Sequence, residues 1–223
     1  AQQLAGAWGE GTISIVGVTP APNRPARPTK PALLSPREMP KRGKAGSPTG
    51  RIALLHALAH IELNAVDLAC DIIVRFSALD LPRQYYDDWV KVVSEEGQHF
   101  SLLAKRLREL NSFYGDFPGH DGLWEAAQET THDLLARLAI VPLVLEARGL
   151  DVTPTMINNL RKAGDIPSTE ILERIYNDEI GHVAIGHRWF LHICDERDVA
   201  PEATWQGLVK KHFKGALKPP FND

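Results

Sequence analysis

Glu96-Gly-Gln-His99 and Glu179-Ile-Gly-His182 are the stretches on which the reading of this chain turns. A glutamate precedes each by about one helix and a turn: Glu62 stands 34 residues before Glu96, and Glu146 stands 33 before Glu179. Each of these acids interrupts an apolar stripe of helical period. Leu55, Leu58, Ala59, Ala65, Val66, Ala69 and Ile73 surround Glu62 at steps of three, four and seven. Trp89, Val92, Val93, Phe100 and Leu103 surround Glu96, with His99 on the same face. Ala139, Pro142, Leu143, Gly149 and Leu150 flank Glu146, and Leu172, Ile175, Tyr176, Val183 and Gly186 flank Glu179 and His182. Residues three or four apart share a helix face, so all four stripes point inward.

A carboxylate on an inward stripe needs a partner. Unpaired, it costs several kcal/mol or takes up a proton. Four such acids, two with a histidine at i+3, need a common explanation, and two divalent cations offset four carboxylates. One Glu from each of two helices, plus a Glu-x-x-His from each of two others, is the ligand set of a dinuclear carboxylate centre in a helix bundle. The expected ligands are Glu62, Glu96, His99, Glu146, Glu179 and His182. Imidazole with carboxylate suits iron, manganese or zinc.

The chain has 223 residues, 43% of them hydrophobic, enough to bury one sizeable core. A net charge of −3 gives no global attraction to nucleic acid or to an anionic membrane. No run of about 18 uncharged apolar residues exists to span a bilayer. The opening Ala-Gln-Gln-Leu does not read as a signal peptide. Cys70 and Cys194 form no disulfide framework, which fits a reducing cytosol, so a cytoplasmic location is expected.

Three regions are expected: an extended Pro-rich basic arm over 1–46, a helical bundle over 47–215 and a tail over 216–223. Seven of the sixteen prolines lie between Pro20 and Pro40, among Arg24, Arg27, Lys30, Arg37, Lys41, Arg42 and Lys44. Thr12–Val18 reads as a short strand or as a segment that wraps the bundle. Ser47-Pro48 reads as an N-cap and first helical residue, opening a helix to about Ser77. A second helix is expected from Pro82 to about Asn111.

A parallel arrangement of the second and third helices meets a length limit. With a single helix over 123–148, an eleven-residue linker reaching about 36–39 Å would have to cover about 56 Å. A crossover therefore requires Leu123–Glu129 to be a separate short helix, with the third helix starting at a Thr130 cap. Pro142 should kink that helix one turn before Glu146, and Gly149 should end it. A short helix from Thr153 to Ala163, a fourth long helix from Ser168 to Arg197 and a last one from Pro201 to Phe213 complete the expectation. Tyr176 lies one turn before Glu179 and reads as core filling or as a phenol beside the metals. Asn64, Asp67 and Asp178 are candidates to hold the outer nitrogen of a ligand histidine. Glu95 rivals Glu96 as a helical partner of His99. His56, His60 and His132 read as structural.

The stretches His56-Ala-Leu-Ala-His60-Ile-Glu62-Leu-Asn-Ala-Val-Asp67, Glu95-Glu96-Gly-Gln-His99-Phe, Leu145-Glu146-Ala-Arg-Gly149-Leu-Asp151 and Asn177-Asp178-Glu179-Ile-Gly-His182-Val resemble the ferritin-like superfamily of di-iron carboxylate proteins. More narrowly, they look like a bacterial ferritin-like family known only as a domain of unknown function. The resemblance covers residues 20–215. It implies an all-α, ferritin-like four-helix bundle with a long crossover, two iron ions (or manganese, or an iron–manganese pair), and bridging by Glu96 and Glu179. Members of the superfamily include ferroxidases, hydroxylases, desaturases, a radical-generating reductase subunit and a tRNA hydroxylase. The expectation is an oxidoreductase that activates dioxygen or peroxide on a small-molecule substrate, supplied by an electron donor and compatible with a homodimer. The alternatives are a tRNA-base hydroxylase, an iron-oxidising or storage protein, and a metal-bound scaffold without catalysis.

Overall fold

The computed structural model describes residues 1–35, 37–39, 47–215 and 218–221. Among them the chain is helical, with no β-strand and one isolated bridge pairing Leu33 with Gly119. The helices are α1 (Gln2–Gly9), α2 (Pro48–Arg75), α3 (Arg83–Glu109), α4 (Gly122–Glu129), α5 (Leu134–Ile140), α6 (Ala147–Lys162), α7 (Ile166–Glu196) and α8 (Pro201–His212). A π-helical turn, Val141–Glu146, joins α5 to α6.

Local chemistry sets most of these boundaries. Ser47 caps α2 by accepting from Gly50 N, with Pro48 where no donor is needed. Asp165 caps α7 by accepting from Ser168 N. The third long stretch is capped by Asp133, which accepts from Leu135 N, and not by Thr130. The Thr130 hydroxyl is occupied otherwise: it receives Arg137 Nε at 2.9 Å. Arg137 is 1% exposed and also donates to Asp71 Oδ2 at 2.5 Å and to the Ala127 carbonyl at 2.7 Å. One buried guanidinium thus ties α2, the end of α4 and α5 together, satisfied at each contact.

The two halves of the core reveal the helix directions. One apolar cluster contains Ala69 and Ile72 of α2, Tyr85 and Trp89 of α3, Leu138 of α5, and Ile185 and Trp189 of α7. The other contains Leu55 and Ala59 of α2, Leu103 and Leu107 of α3, Ile157 and Leu160 of α6, and Leu172 and Ile175 of α7. So α2 and α7 run from the second cluster to the first, while α3 and the α5–α6 stretch run from the first to the second. The second and third long stretches are parallel, and residues 110–133, including α4, carry the chain back across the length of the bundle.

Several expectations need correction. The N-terminal region is not wholly extended, since α1 docks there with Trp8 Nε1 donating to Asp87 at 2.7 Å. Of the two readings of Thr12–Val18 the strand is not found, and the stretch lies along the bundle, with Ile13 and Val16 packed on the first cluster and Ile15 82% exposed. Residues 40–46 of the expected basic arm, with Lys41, Arg42 and Lys44, lie outside the described residues. Gly149 does not end a helix, and no separate helix begins at Thr153, because α6 continues through both Gly149 and Pro154. An interior proline costs about 3 kcal/mol. Burial of Leu150, Thr153, Ile157 and Leu160 along α6 offsets that cost. The helix-ending glycine is Gly164, at φ +74°.

Two glycines should respond oppositely to alanine. A Cβ on Gly186 of α7 would sit 2.2 Å from Pro142 Cβ, so Gly186→Ala must push the π-turn away. We expect it to cost about 1–3 kcal/mol in denaturant unfolding, as overpacking does. A Cβ on Gly149 meets nothing within 4 Å, so Gly149→Ala should gain about 0.5–1 kcal/mol. Equal effects at both sites would show that α7 and the π-turn are not in close contact.

Candidate metal centre

The acids lie midway along the helices, between the two apolar clusters. On α3, Glu96 and His99 follow Val92 and Val93 and precede Leu103; on α7, Glu179 and His182 follow Leu172 and Ile175 and precede Ile185. Glu62 occupies the matching level of α2. Ligand atoms of Glu62, Glu96, His99 and Glu179 all come within 4.8 Å of one another, a group able to hold a metal ion. Glu146 reaches this level because the chain widens into a π-turn as it approaches. Pro142 has no N–H to give the helical ladder, and it rests against Gly186, whose missing side chain lets the turn come close to α7.

The distances sort the residues into two halves around shared acids. His99 Nδ1 lies 3.2 Å from Glu62 Oε2 and 3.4 Å from Glu96 Oε2. His182 Nδ1 lies 3.1 Å from Glu96 Oε1. Glu179 Oε1 lies 3.8 Å from His99 Nδ1 and 3.5 Å from His182 Nδ1. Glu96 therefore presents one oxygen to each imidazole. Both of its oxygens, Oε2 of Glu146 and Nδ1 of His182 are enclosed without a hydrogen bond. Enclosed polar atoms of this kind are uncommon, and the donor set fits a divalent cation that would satisfy them together.

The outward nitrogens are also held. His99 Nε2 donates to Asp178 Oδ2 at 3.0 Å, and His182 Nε2 donates to Glu95 Oε2 at 2.9 Å. A carboxylate that accepts from Nε2–H holds each ring with Nδ1 turned toward the inner acids, where His99 Nδ1 meets Glu62 at 3.2 Å. Lys91 lies 3.5 Å from Glu95, and Arg174 lies 3.7 Å from Asp178, so each outer acid has its own cation near the surface.

Protons balance these charges in the metal-free chain. Burial, then the neighbouring Glu96, pushes Glu62 well above the carboxylate range. Burial and Glu179 push Glu146 up to about 8. Glu179 is raised by burial and by Glu96. Burial alone would raise Glu96 too, but the His182 and His99 imidazoles reverse this and bring it down to about 2. Burial works against the charged form of His99, and Glu62 and Glu96 overcome it, lifting the ring to about 10. His182 moves the same way, driven by Glu179, Glu95 and Glu96 against burial.

Of the residues singled out in sequence, Glu62, Glu96, His99 and Glu179 gather as one group, His182 touches Glu96 and Glu179, and Glu146 adjoins Glu179. Tyr176 packs in the second apolar cluster, as core filling. Asp178 does hold His99, but Asn64 and Asp67 bind Arg27 at 2.7 and 3.0 Å. His56 and His60 fasten the loop after α3, through Gly115 N, Tyr114 Oη and the His120 carbonyl. Glu95, read as a rival of Glu96, is instead the outer partner of His182. Its neighbour Lys91, one helical turn before it, was the available signal.

The whole chain, residues 1–223, matches a family described as "Protein of unknown function (DUF455)". An uncharacterized protein of Haemophilus influenzae is 41% identical over 209 residues, covering 90% of this chain and 72% of the relative. The chain belongs to this family. No solved structure matches it.

Two expectations follow. Glu146 and His99 hold protons in the folded chain that the unfolded chain gives up, between pH 4.5 and about 8 for Glu146 and between pH 6.5 and about 10 for His99. Where the folded state binds more protons, stability falls as pH rises. Glu96 acts in the other direction only below pH 4.5, where its contribution is lost as pH falls toward about 2. The chelated protein should therefore melt progressively lower from about pH 5 to about pH 9, whereas added metal should displace these protons and reverse the loss. A melting temperature that stays flat or climbs over that range in the chelated form would contradict the arrangement. Separately, Glu95→Ala and Asp178→Ala should each weaken metal binding about 10–100-fold in chelator competition. An unchanged affinity in both would mean the outer acids do not orient the rings.

Proposed function

We propose that this chain is a dinuclear metal protein of the ferritin-like type. Glu96 and Glu179 would serve both ions, with Glu62 and His99 holding one and Glu146 and His182 the other. The observation that carries the reading is Glu96, which turns Oε2 toward His99 and Oε1 toward His182 from a buried position with no hydrogen bond of its own. An acid placed only to pair with one histidine would not split its oxygens between two.

Iron is the metal that best matches this donor set with redox work, and bound there it would supply electrons for the reduction of dioxygen or peroxide. The chain's own residues do the rest. The Nε2–H donors to Asp178 and Glu95 fix both rings, and the apolar clusters on either side limit water at the acids. The acids and histidines must lose the protons they hold before metal can bind, so loading releases protons. The reaction is oxidation of a small molecule, with reducing equivalents from a separate donor. Reading the chain as a tRNA-base hydroxylase draws no support from Arg24 and Arg27. Arg24 pairs with Asp121, and Arg27 pairs with Asp67 and Asn64, within the chain itself.

The test is metal content, followed by dioxygen uptake. Wild-type protein loaded anaerobically with Fe(II) should hold two ions per chain and consume dioxygen on mixing. Glu62→Ala and Glu146→Ala should each retain about one ion, and Glu96→Ala should retain none, all three with the helical circular dichroism of the wild type. Full loading of Glu96→Ala would sink the shared-carboxylate reading. Full loading of the wild type with no dioxygen uptake would leave a metal site and remove the redox function.

A further inference from the structure

A cavity of about 130 Å³ opens directly onto the acids. Glu62, Glu96, Glu146 and Glu179 form its floor. Its walls come from α2, α4, the π-turn, α6 and α7, through side chains such as Leu58, Ile61, Leu123, Leu145, Met156 and Leu172. Ile61 is 41% exposed and marks the side on which α2 reaches solvent. Thr153 is the one neutral polar side chain among the described lining, and no lysine, arginine or histidine lines it.

We propose that this cavity is a substrate site for an uncharged, hydrocarbon-like group about the size of a benzene ring or a six-carbon chain, entering between α2 and α6 with its end held over the carboxylates. The inference deepens the dinuclear reading and rests on it for the reaction, though not for the binding. Size comes from the volume: an engineered apolar cavity of about 150 Å³ stays dry and takes up benzene. Polarity comes from the walls. An anionic head would be desolvated beside four acids with no cation to meet it. An apolar group loses nothing there and leaves water.

Gly149 is the specificity-determining position. It lines the cavity from the first turn of α6, inside the continuous helical stretch 134–162, and a Cβ built on it meets no atom within 4 Å. A mid-helix glycine costs about 1 kcal/mol relative to alanine, and this one relieves no clash. What it does is leave the entrance wide. A side chain at 149 would stand in that space, one turn from Glu146.

Toluene, 1-hexanol and benzoate are the probes, titrated into the chelated protein and read by methyl NMR of its Ile, Leu, Val and Met residues. Toluene and 1-hexanol should shift the methyls of Ile61, Leu145 and Met156 saturably and leave those of Ile193 and Leu138 in place. Benzoate should bind at least about tenfold more weakly, since its charge must be stripped of water beside acids with no cation to meet it. Gly149→Phe and, as an independent block, Met156→Trp should abolish the toluene shifts while keeping the wild-type metal content. The proposal is overturned if toluene gives no saturable shift in the wild type, if both variants still bind it, or if benzoate binds as well as toluene. Toluene binding in a chain that takes up no metal would uphold the pocket and remove the dinuclear centre. Full metal loading with no toluene binding would do the opposite.

Discussion

Everything in this structure is arranged around the cost of placing four carboxylates in the middle of a helical core. Each is carried there by a helix whose other inward residues are apolar, so none can turn away to solvent without dragging its stripe with it. The acids cannot all ionise unaided at this separation. In the metal-free chain the compensation is protonic: two imidazoles are held charged, and Glu62, Glu146 and Glu179 are raised. Metal ions are a better solution to the same problem, because they satisfy oxygens that imidazoles reach at the wrong angle.

That demand explains the oddities of the third long stretch. α2, α3 and α7 carry their acids on unbroken helices, but the fourth acid arrives through α5, a π-turn and α6. Pro142 and Gly186 fit against each other, so the turn is both loosened and pressed close to α7. A regular helix at this point would keep one more hydrogen bond but would aim a different residue inward. The same widening brings Val141, Leu145, Glu146 and Gly149 to the cavity wall. One local departure from the α-helix thus sets the fourth acid and shapes the space above it.

How much of this could be read from the chain depended on whether the signal was periodic. The inward acids, the two Glu-x-x-His pairs, the Ser47 cap and the need for a separate helix near Leu123 all follow from spacing and linker length, and they agree with the helices observed. The misreadings came where tertiary contact overrode a local rule. Gly149 and Pro154 look like punctuation, yet α6 runs through them because its buried face outweighs the proline. Thr130 looks like a cap, yet a buried arginine sixty-six residues from its aspartate partner uses that hydroxyl. α1 was hidden because eight residues of modest pattern become a helix only by docking Trp8 on Tyr86 and Asp87. The role of Glu95 was hidden because two adjacent glutamates compete for one histidine on paper, while in space they serve different rings and opposite sides of one.

The site is consequently two-sided. The histidines, Glu95 and Asp178 belong to α3 and α7, and none of them lines the cavity. Polar compensation is confined to that side, where Lys91 and Arg174 bring the line of charge to the surface. This leaves the side facing α2, α4 and α6 with Thr153 as the one polar side chain among the described lining above the acids. Had the imidazoles been held by donors or acceptors on α2 or α6, those partners would have occupied the cavity wall and made it wet. Separating the charge-balancing face from the apolar face is what allows a buried acid cluster to border a dry pocket, so the positions of two outer carboxylates bear on substrate access as much as on the rings they hold.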